Sequence, residues 1–187
     1  PIVVERGQEV RQRTQDTWGF WRKRKLNAES NVQFGEGGAG TFSDGKLWSQ
    51  VKDRRHLGRK VLNEFVIAGA PEEILTESRP HIGTFKLVTM VENMRAEIIR
   101  LGGEIRFDQK VESILRDKAP EDALDGKGQI TGITLSSGET LHSRHIVLAI
   151  GHSARGSFQM LLDHGVSIEA KPFSIGFRIE HPQSTID

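Results

Sequence analysis

The 187-residue sequence contains no cysteine. Disulfide bonds, thiolate metal sites, iron–sulfur clusters and a redox-active dithiol are therefore excluded within these residues. A lack of cysteine is typical of intracellular proteins, and we expect a cytoplasmic one. No apolar run approaches the roughly 18–20 residues that a membrane-spanning helix needs, so we expect no membrane partner.

The chain also lacks a strong excess of charge of either sign, since its formal net charge is +1. This balance disfavours a nucleic-acid partner for the chain as a whole. The first 60 residues nevertheless carry an excess of +6, and the remainder one of −5. The basic residues at 22–25 lie near Trp18 and Trp21. Three interpretations stay open: a solvated helix face, a phosphate-facing surface of a nucleotide site, or an RNA-binding patch with aromatic stacking.

The apolar pattern predicts strands and helices in alternation. We expect strands at 2–4, 104–107, 111–115, 130–135, 139–142, 146–150 and 173–179. We expect helices at 8–17, 56–69, 90–101 and 154–164, with a short one from Pro71, and loops at 31–45 and 117–128. Thr89 and Glu92 have the spacing of a capping box for the third helix, which Gly102 would end. This order indicates an α/β sheet with an antiparallel accessory layer, built on the hairpin 130–142.

The most conspicuous motif is the glycine-rich segment 35–40, which matches the string G-x-G-x-x-G. The dinucleotide fingerprint needs a strand before it and a helix opening at it, and residues 41–45 do not have a helical pattern. Segment 40–46 also spells G-x-x-x-x-G-K, but Leu47 stands where a hydroxyl should hold Mg²⁺, which disfavours an NTPase. The other interpretation is a loop whose backbone approaches a cofactor closely, because glycine lets the main chain come near.

Two strand ends supply further candidates. Glu5 ends the first predicted strand, where an acid accepts hydrogen bonds from nucleotide ribose hydroxyls; the alternative is an ordinary surface glutamate. Gly151-His152-Ser153 follows strand 146–150, and the helix N-terminus after it suits a phosphate or a flavin edge. The alternative is that Ser153 only caps that helix. The seven histidines have no metal-ligand spacing, so we expect no metal site.

Residues 3–7, 35–47 and 146–155 together resemble the bacterial NAD(FAD)-utilising dehydrogenases, a family with a glutathione-reductase-like FAD domain. The middle motif is specific, whereas many flavoproteins share the other two, and the resemblance covers essentially the whole chain. It implies an α/β fold of the FAD/NAD(P)-binding Rossmann type, with the antiparallel β-hairpin as an accessory layer. The family's first strand and G-x-G-x-x-G turn would lie before residue 1. We therefore expect an N-terminally truncated, internal piece: a partial FAD-binding domain at 1–170 and the start of a substrate domain at 171–187.

The resemblance implies a FAD-dependent oxidoreductase that transfers a hydride through bound flavin, with an unidentified small-molecule substrate and NAD(P)H as a candidate electron donor. Glu5 would hold the adenosine ribose, segment 35–47 would wrap the pyrophosphate and flavin, and the backbone of Val111 would contact adenine. The residues implied to bind the cofactor are Glu5, Arg6, Gly37, Gly38, Ala39, Gly45, Lys46, Val111, Gly151, His152 and Ser153.

No catalytic residue is implied by the resemblance. Lys46 and the helix after Ser153 are candidates to stabilise negative charge near N1 of reduced flavin. Without the first strand, we expect this piece to bind FAD weakly or not at all and to be inactive alone. The exposed gap would favour pairing with another chain, and so a homo-oligomer. An RNA- or phosphate-binding module in the basic N-terminal third is the alternative function.

Overall fold

The structure, a computed structural model, describes residues 1–47, 52–118, 128–177 and 179–186, which form a mixed α/β arrangement. The described helices are α1 (Val10–Lys23), α2 (Leu57–Ile67), α3 (Thr84–Arg100) and α4 (Arg155–Asp163). The described strands are β1 (Ile2–Val4), β2 (Glu104–Arg106), β3 (Val111–Arg116), β4 (Ile130–Leu135) and β5 (Thr140–His142). Short 3₁₀ turns occur at Ala39–Phe42, Glu72–Leu75 and Gln183–Thr185.

The strands form two small sheets. β1 pairs in parallel with β2, with Val3 opposite Ile105, and α3 lies directly before β2 in the chain. The second sheet is antiparallel in the order β3-β4-β5, with Ile133 opposite Leu141 across the hairpin. The predicted hairpin is therefore confirmed, and it belongs to a three-stranded antiparallel layer.

The main core lies between α2 and α3 and includes the 3₁₀ turn at Glu72–Leu75. Leu62, Phe65 and Val66 of α2 pack, partly buried, against the cluster, as do Val91 and Met94 of α3. The buried members of the cluster are Ala68, Ala70, Ile74, Ile82, Leu87 and Met90. None of the helices in the described residues is both long enough and apolar enough to span a membrane.

Helix α4 is attached to β3 by a polar contact. The Nδ1–H of His164 donates to the carbonyl of Met160 (2.7 Å), and its Nε2 lies 3.0 Å from the hydroxyl oxygen of Ser113. A carbonyl oxygen only accepts hydrogen bonds, so Nδ1 is the donor in the first contact. The contact orients the C-terminal end of α4 toward the antiparallel sheet.

Helix α3 begins at Thr84, so the capping box predicted from Thr89 and Glu92 is wrong. The carboxylate of Glu92 instead binds Arg11 on α1, with an N–O distance of 2.5 Å. The start of α3 is held by a distant segment, because the N–H of Gly83 donates to the carbonyl of Asp44 (2.8 Å). The predicted end of the helix at Gly102 is confirmed by its positive φ of 84°.

The strands predicted at 146–150 and 173–179 are also wrong. Residues 146–150, 173–177 and 179 form no ladder within the described chain, and Arg178 lies outside the described residues. Val147 is 91% exposed and Phe177 is 92% exposed. An apolar run indicates burial, but it becomes a strand only where a neighbouring strand supplies backbone partners. Of the predicted loop 117–128, residues 119–127 likewise lie outside the described part.

The core predicts a clear contrast between two isoleucines. Ile74 is 1% exposed, whereas Ile67 at the end of α2 is 77% exposed. We expect Ile74→Ala to lower the free energy of unfolding by about 2–5 kcal/mol, because it leaves a cavity. Ile67→Ala, the matched control, should change it by less than about 0.5 kcal/mol. Urea denaturation measures both, and equal losses would contradict this location of the core.

Candidate functional site

Residues 31–45, named the glycine loop here, fold around the side chain of Arg13. Arg13 lies on α1 and is fully buried, with 0% exposure. Its guanidinium donates to four backbone carbonyl groups of the loop: those of Asn31 (2.8 Å), Val32 (2.9 Å), Glu36 (2.7 Å) and Gly38 (2.7 Å). One side chain thus provides hydrogen-bond donors for four carbonyl groups of the loop.

Only arginine can make this set of contacts, since its planar guanidinium carries five N–H donors in fixed directions. The group also lies over the ring of Phe42, 4.8 Å from the ring centroid. Burial lowers the pKa of Arg13 to about 10, while the negative charges of Glu5 and Glu36 act in the opposite direction. Arg13 therefore stays protonated at neutral pH.

Gly35 shows how closely the loop approaches Arg13. Its φ is +118°, and a Cβ atom at this position would lie 2.3 Å from Cδ of Arg13. Any side chain would therefore displace either the loop or the arginine. This glycine of the motif is required by the fold.

The strand end and the glycine loop meet at Glu5, as the sequence hypothesis required. Oε1 of Glu5 accepts the N–H groups of Gly7 (2.9 Å) and Gly35 (3.0 Å). In the described residues its second oxygen, Oε2, accepts no hydrogen bond. The guanidinium of Arg6 is held inside the protein by Glu29 (2.5 Å) and lies over the ring of Phe34 (4.0 Å). Glu5 thus keeps one acceptor oxygen for a ligand, whereas Arg6 has protein partners.

Glu36 fixes the loop to the start of α1. Its Oε2 accepts the N–H of Val10 (2.8 Å), and its N–H donates to the carbonyl of Gln8 (3.0 Å). Its Oε1 lies 3.4 Å from Nε of Arg95 on α3. Burial raises the pKa of Glu36, and the Val10 hydrogen bond and Arg95 offset part of that rise. The carboxylate thus caps α1 from the loop.

The tip of the loop faces solvent. Gly37, Gly38 and Ala39 are exposed, and the 3₁₀ turn at Ala39–Phe42 follows them. Within the described residues, the N–H groups of Ala39 and Gly40 have no hydrogen-bond partner. At the far end, Gly45 is buried and Lys46 is exposed. The loop is therefore anchored at both ends, and its tip is exposed.

The segment that leads into Val111, residues 108–110, lies beside Glu5. The N–H of Gln109 donates to the carbonyl of Glu5 (2.9 Å), and the N–H of Asp108 donates to that of Gly7 (3.1 Å). A cleft of about 410 Å³ opens here, and its lining includes Arg6, Lys110 and Glu112. Val111, Glu5 and the glycine loop thus share one region of the molecule.

Gly151, His152 and Ser153 are not brought to this region by any hydrogen bond or ion pair of the described residues. The hydroxyl of Ser153 contacts Nδ1 of its neighbour His152 at 2.9 Å. The N-cap residue of α4 is Ala154, so the alternative role of Ser153 as that cap is wrong. The place of these residues in a cofactor site stays a prediction.

The sequence interpretation missed Arg13, which organises the loop. Val10, Arg13 and Thr17 are the buried residues of α1, and their spacing follows one helical face. An arginine at a core position of that face was the available signal. No group of three or more metal-ligating side chains occurs in the parts of the chain that the structure describes.

The tryptophans of the basic region pack against the glycine loop. Arg22 lies over the ring of Trp18 at 4.6 Å, and Trp18 meets Trp21 edge-on with a centroid distance of 5.2 Å. Trp21 in turn contacts Phe42 of the loop, with a centroid distance of 6.1 Å. These contacts favour a packing role for the cluster, and the RNA-binding alternative stays a hypothesis.

Comparison with known proteins finds an uncharacterised relative. No protein-family model matches the chain. Over its whole length, the chain is 49% identical to an uncharacterised protein of Clostridium beijerinckii (strain ATCC 51743 / NCIMB 8052), of which it covers 33%. The chain thus spans about a third of the length of the curated relative it matches.

The contacts of Arg13 predict a large stability effect. We expect Arg13→Met to lower the free energy of unfolding by about 3 kcal/mol or more, because buried carbonyl groups lose their donors. Arg22→Met, on the exposed face of the same helix, should cost less than about 1 kcal/mol. Urea denaturation of both variants tests this, and equal stability of the two would contradict the role of Arg13.

The raised pKa of Glu36 predicts a pH-dependent difference between the wild type and Glu36→Gln. In the folded state Glu36 holds its proton to a higher pH than in the unfolded state, where its pKa is near 4.5. The stability that Glu36 contributes therefore falls as the pH rises through the folded-state pKa. Urea denaturation from about pH 4 to about pH 7 should show wild type losing stability relative to Glu36→Gln. A difference that rises with pH would mean that the Arg95 contact outweighs burial.

Proposed function

We propose that the glycine loop and the adjoining end of β1 bind FAD, and that the chain contributes this site to a FAD-dependent oxidoreductase. The observation that carries the proposal is Gly40 at the exposed loop tip. Its φ lies outside the left-handed range, and a Cβ atom there would meet no atom within 4 Å. Neither packing nor backbone conformation requires glycine here. Close approach of a ligand to the backbone supplies a reason.

The polar groups of the region suit the ADP portion of FAD, which consists of pyrophosphate, ribose and adenine. The partner-free N–H groups of Ala39 and Gly40 would donate to the anionic pyrophosphate. Oε2 of Glu5 would accept hydrogen bonds from the adenosine ribose, because two N–H groups already orient the carboxylate. The backbone near Val111 would contact adenine. The residues present therefore fit the ADP portion of the cofactor.

FAD, when bound, supplies the hydride chemistry, and the residues of this chain would bind and orient it. Lys46 follows the loop directly and is 77% exposed, so its ammonium is available to stabilise negative charge. The proposal also includes NAD(P)H as electron donor and a small-molecule substrate, because the family resemblance implies both.

The unpaired apolar segments support the view that the sheet of the site is larger than the described one. Within the described residues, 146–150 have the composition of a buried strand but lack a ladder partner, and β1 pairs on one side only, with β2. We include in the proposal a further strand from a longer polypeptide, placed between these segments. Pairing with a second copy of the chain would be the competing outcome.

The test compares two glycine variants of the full-length protein. Purified and reconstituted with FAD, the protein should show the visible absorption bands of bound oxidised flavin. Gly40→Leu should weaken FAD binding by about tenfold or more, since the side chain would occupy the ligand's place. The control is Gly19→Leu on α1, where a Cβ atom also meets nothing within 4 Å.

Thermal unfolding without FAD should be nearly unchanged in Gly40→Leu, because its side chain would extend into solvent. A protein that stays colourless after reconstitution would refute the proposal. Equal FAD affinity of Gly40→Leu and wild type would remove the loop tip from the site.

A further inference from the structure

A second surface adjoins the glycine loop, where residues 43–47 lie antiparallel to residues 80–84. The N–H of Leu47 donates to the carbonyl of Pro80 (2.9 Å), and the N–H of Ile82 donates to that of Gly45 (3.2 Å). Lys46 and His81 form the bridge between these bonds. They are a non-hydrogen-bonded antiparallel pair, whose side chains project from the same face.

Two further charged residues line the same opening as this pair. Asp44 lies two residues before Lys46, and Arg79 lies two residues before His81. The side chains surround a cleft of about 350 Å³, which is lined by Asp44, Lys46, Arg79, Pro80 and His81. This volume falls within the range of about 300–1,000 Å³ that is usual for small-molecule sites.

The charges of this cleft are not balanced. The lining contains two basic side chains, Lys46 and Arg79, and a single carboxylate, Asp44. Nζ of Lys46 is 3.9 Å from Asp44, which is the outer limit of an ion pair. Arg79 forms no ion pair or hydrogen bond with the rest of the described chain. The cleft therefore offers a free guanidinium and a weakly paired ammonium.

The backbone segments that carry these side chains pack against the main core. Pro80, Ile82 and Gly45 are buried, and a Cβ atom on Gly45 would lie 2.7 Å from Cδ1 of Leu87. Ile82 and Leu87 also belong to the main apolar cluster. The cationic residues are thus held on fixed backbone, which reduces the conformational entropy lost when a ligand binds. A set of surface lysines and arginines on a mobile loop would lack this fixed backbone.

We propose that this cleft binds an oxyanion group, a carboxylate or a phosphate, carried by a small organic molecule. The guanidinium of Arg79 forms two parallel hydrogen bonds with such a group, and Lys46 adds a point charge. His81 lies opposite Lys46 and lines the same face. The identification of this molecule as the oxidoreductase's substrate rests on the proposed function, whereas oxyanion binding itself does not.

The test is calorimetric titration of the full-length, FAD-reconstituted protein with malonate and, separately, with inorganic phosphate at low ionic strength. We expect saturable binding of at least one of them, and the preferred anion tells carboxylate from phosphate. Arg79→Gln should weaken that binding by about tenfold or more. The control Arg144→Gln, an exposed arginine outside the cleft, should change it by less than about twofold.

Flavin absorbance of the same samples separates the two proposals. A colourless protein that binds the anion through Arg79 would refute the FAD proposal and leave the cleft intact. The cleft proposal would be overturned by a yellow protein that binds neither anion. It would also be overturned if the Arg79→Gln and Arg144→Gln variants bound the anion equally well. Phosphate binding that appears only after flavin removal would also overturn it, since the cleft would then belong to the cofactor.

Discussion

The buried guanidinium of Arg13 is the contact on which the candidate site depends. The glycine loop has few apolar side chains to bury, and its glycines lose much conformational freedom on folding. Several of its carbonyl groups nevertheless point toward the buried side chain of Arg13. Arg13 satisfies four of them from one point, and this offsets the cost of burying a charge. Burial lowers its pKa only to about 10, so the charge persists at neutral pH.

The dependence between helix and loop runs in both directions. Arg13 of α1 shapes the loop, while Glu36 of the loop caps α1 at Val10. Arg95 on α3 contacts both Glu36 and Glu9, and Arg11 on α1 binds α3 through a second pair. The loop is thereby connected through α3 to the main apolar core. A loop held in this way keeps its shape without a ligand, which favours binding.

The two proposed sites use opposite parts of one anchored segment. The exposed tip presents backbone N–H groups and no side chain at Gly40. The far end, after Gly45, presents Lys46 to a cleft that residues 79–81 complete. The two proposals therefore assign a nucleotide cofactor and a small anion to different parts of one segment, residues 37–46.

Local features of the sequence determined a large part of the secondary structure. The apolar stripe of α2, the turn between β4 and β5, and the glycine after α3 each depend on neighbouring residues, so their patterns predicted them. Glu5 and the glycine motif were also recognised as one region. Their meeting in the structure through Gly35 agrees with that prediction, although no contact brings Gly151 to them.

Tertiary structure alone decided the role of Arg13, the true start of α3 and the absence of a strand ladder at residues 146–150 in the described chain. Each depends on groups far away in the chain: loop carbonyls around Arg13, Asp44 at the start of α3, and a partner strand for the apolar run. A pattern along the chain records which residues prefer burial or a given backbone shape. It does not record which distant group will supply the hydrogen bond, because only the folded chain brings the two together.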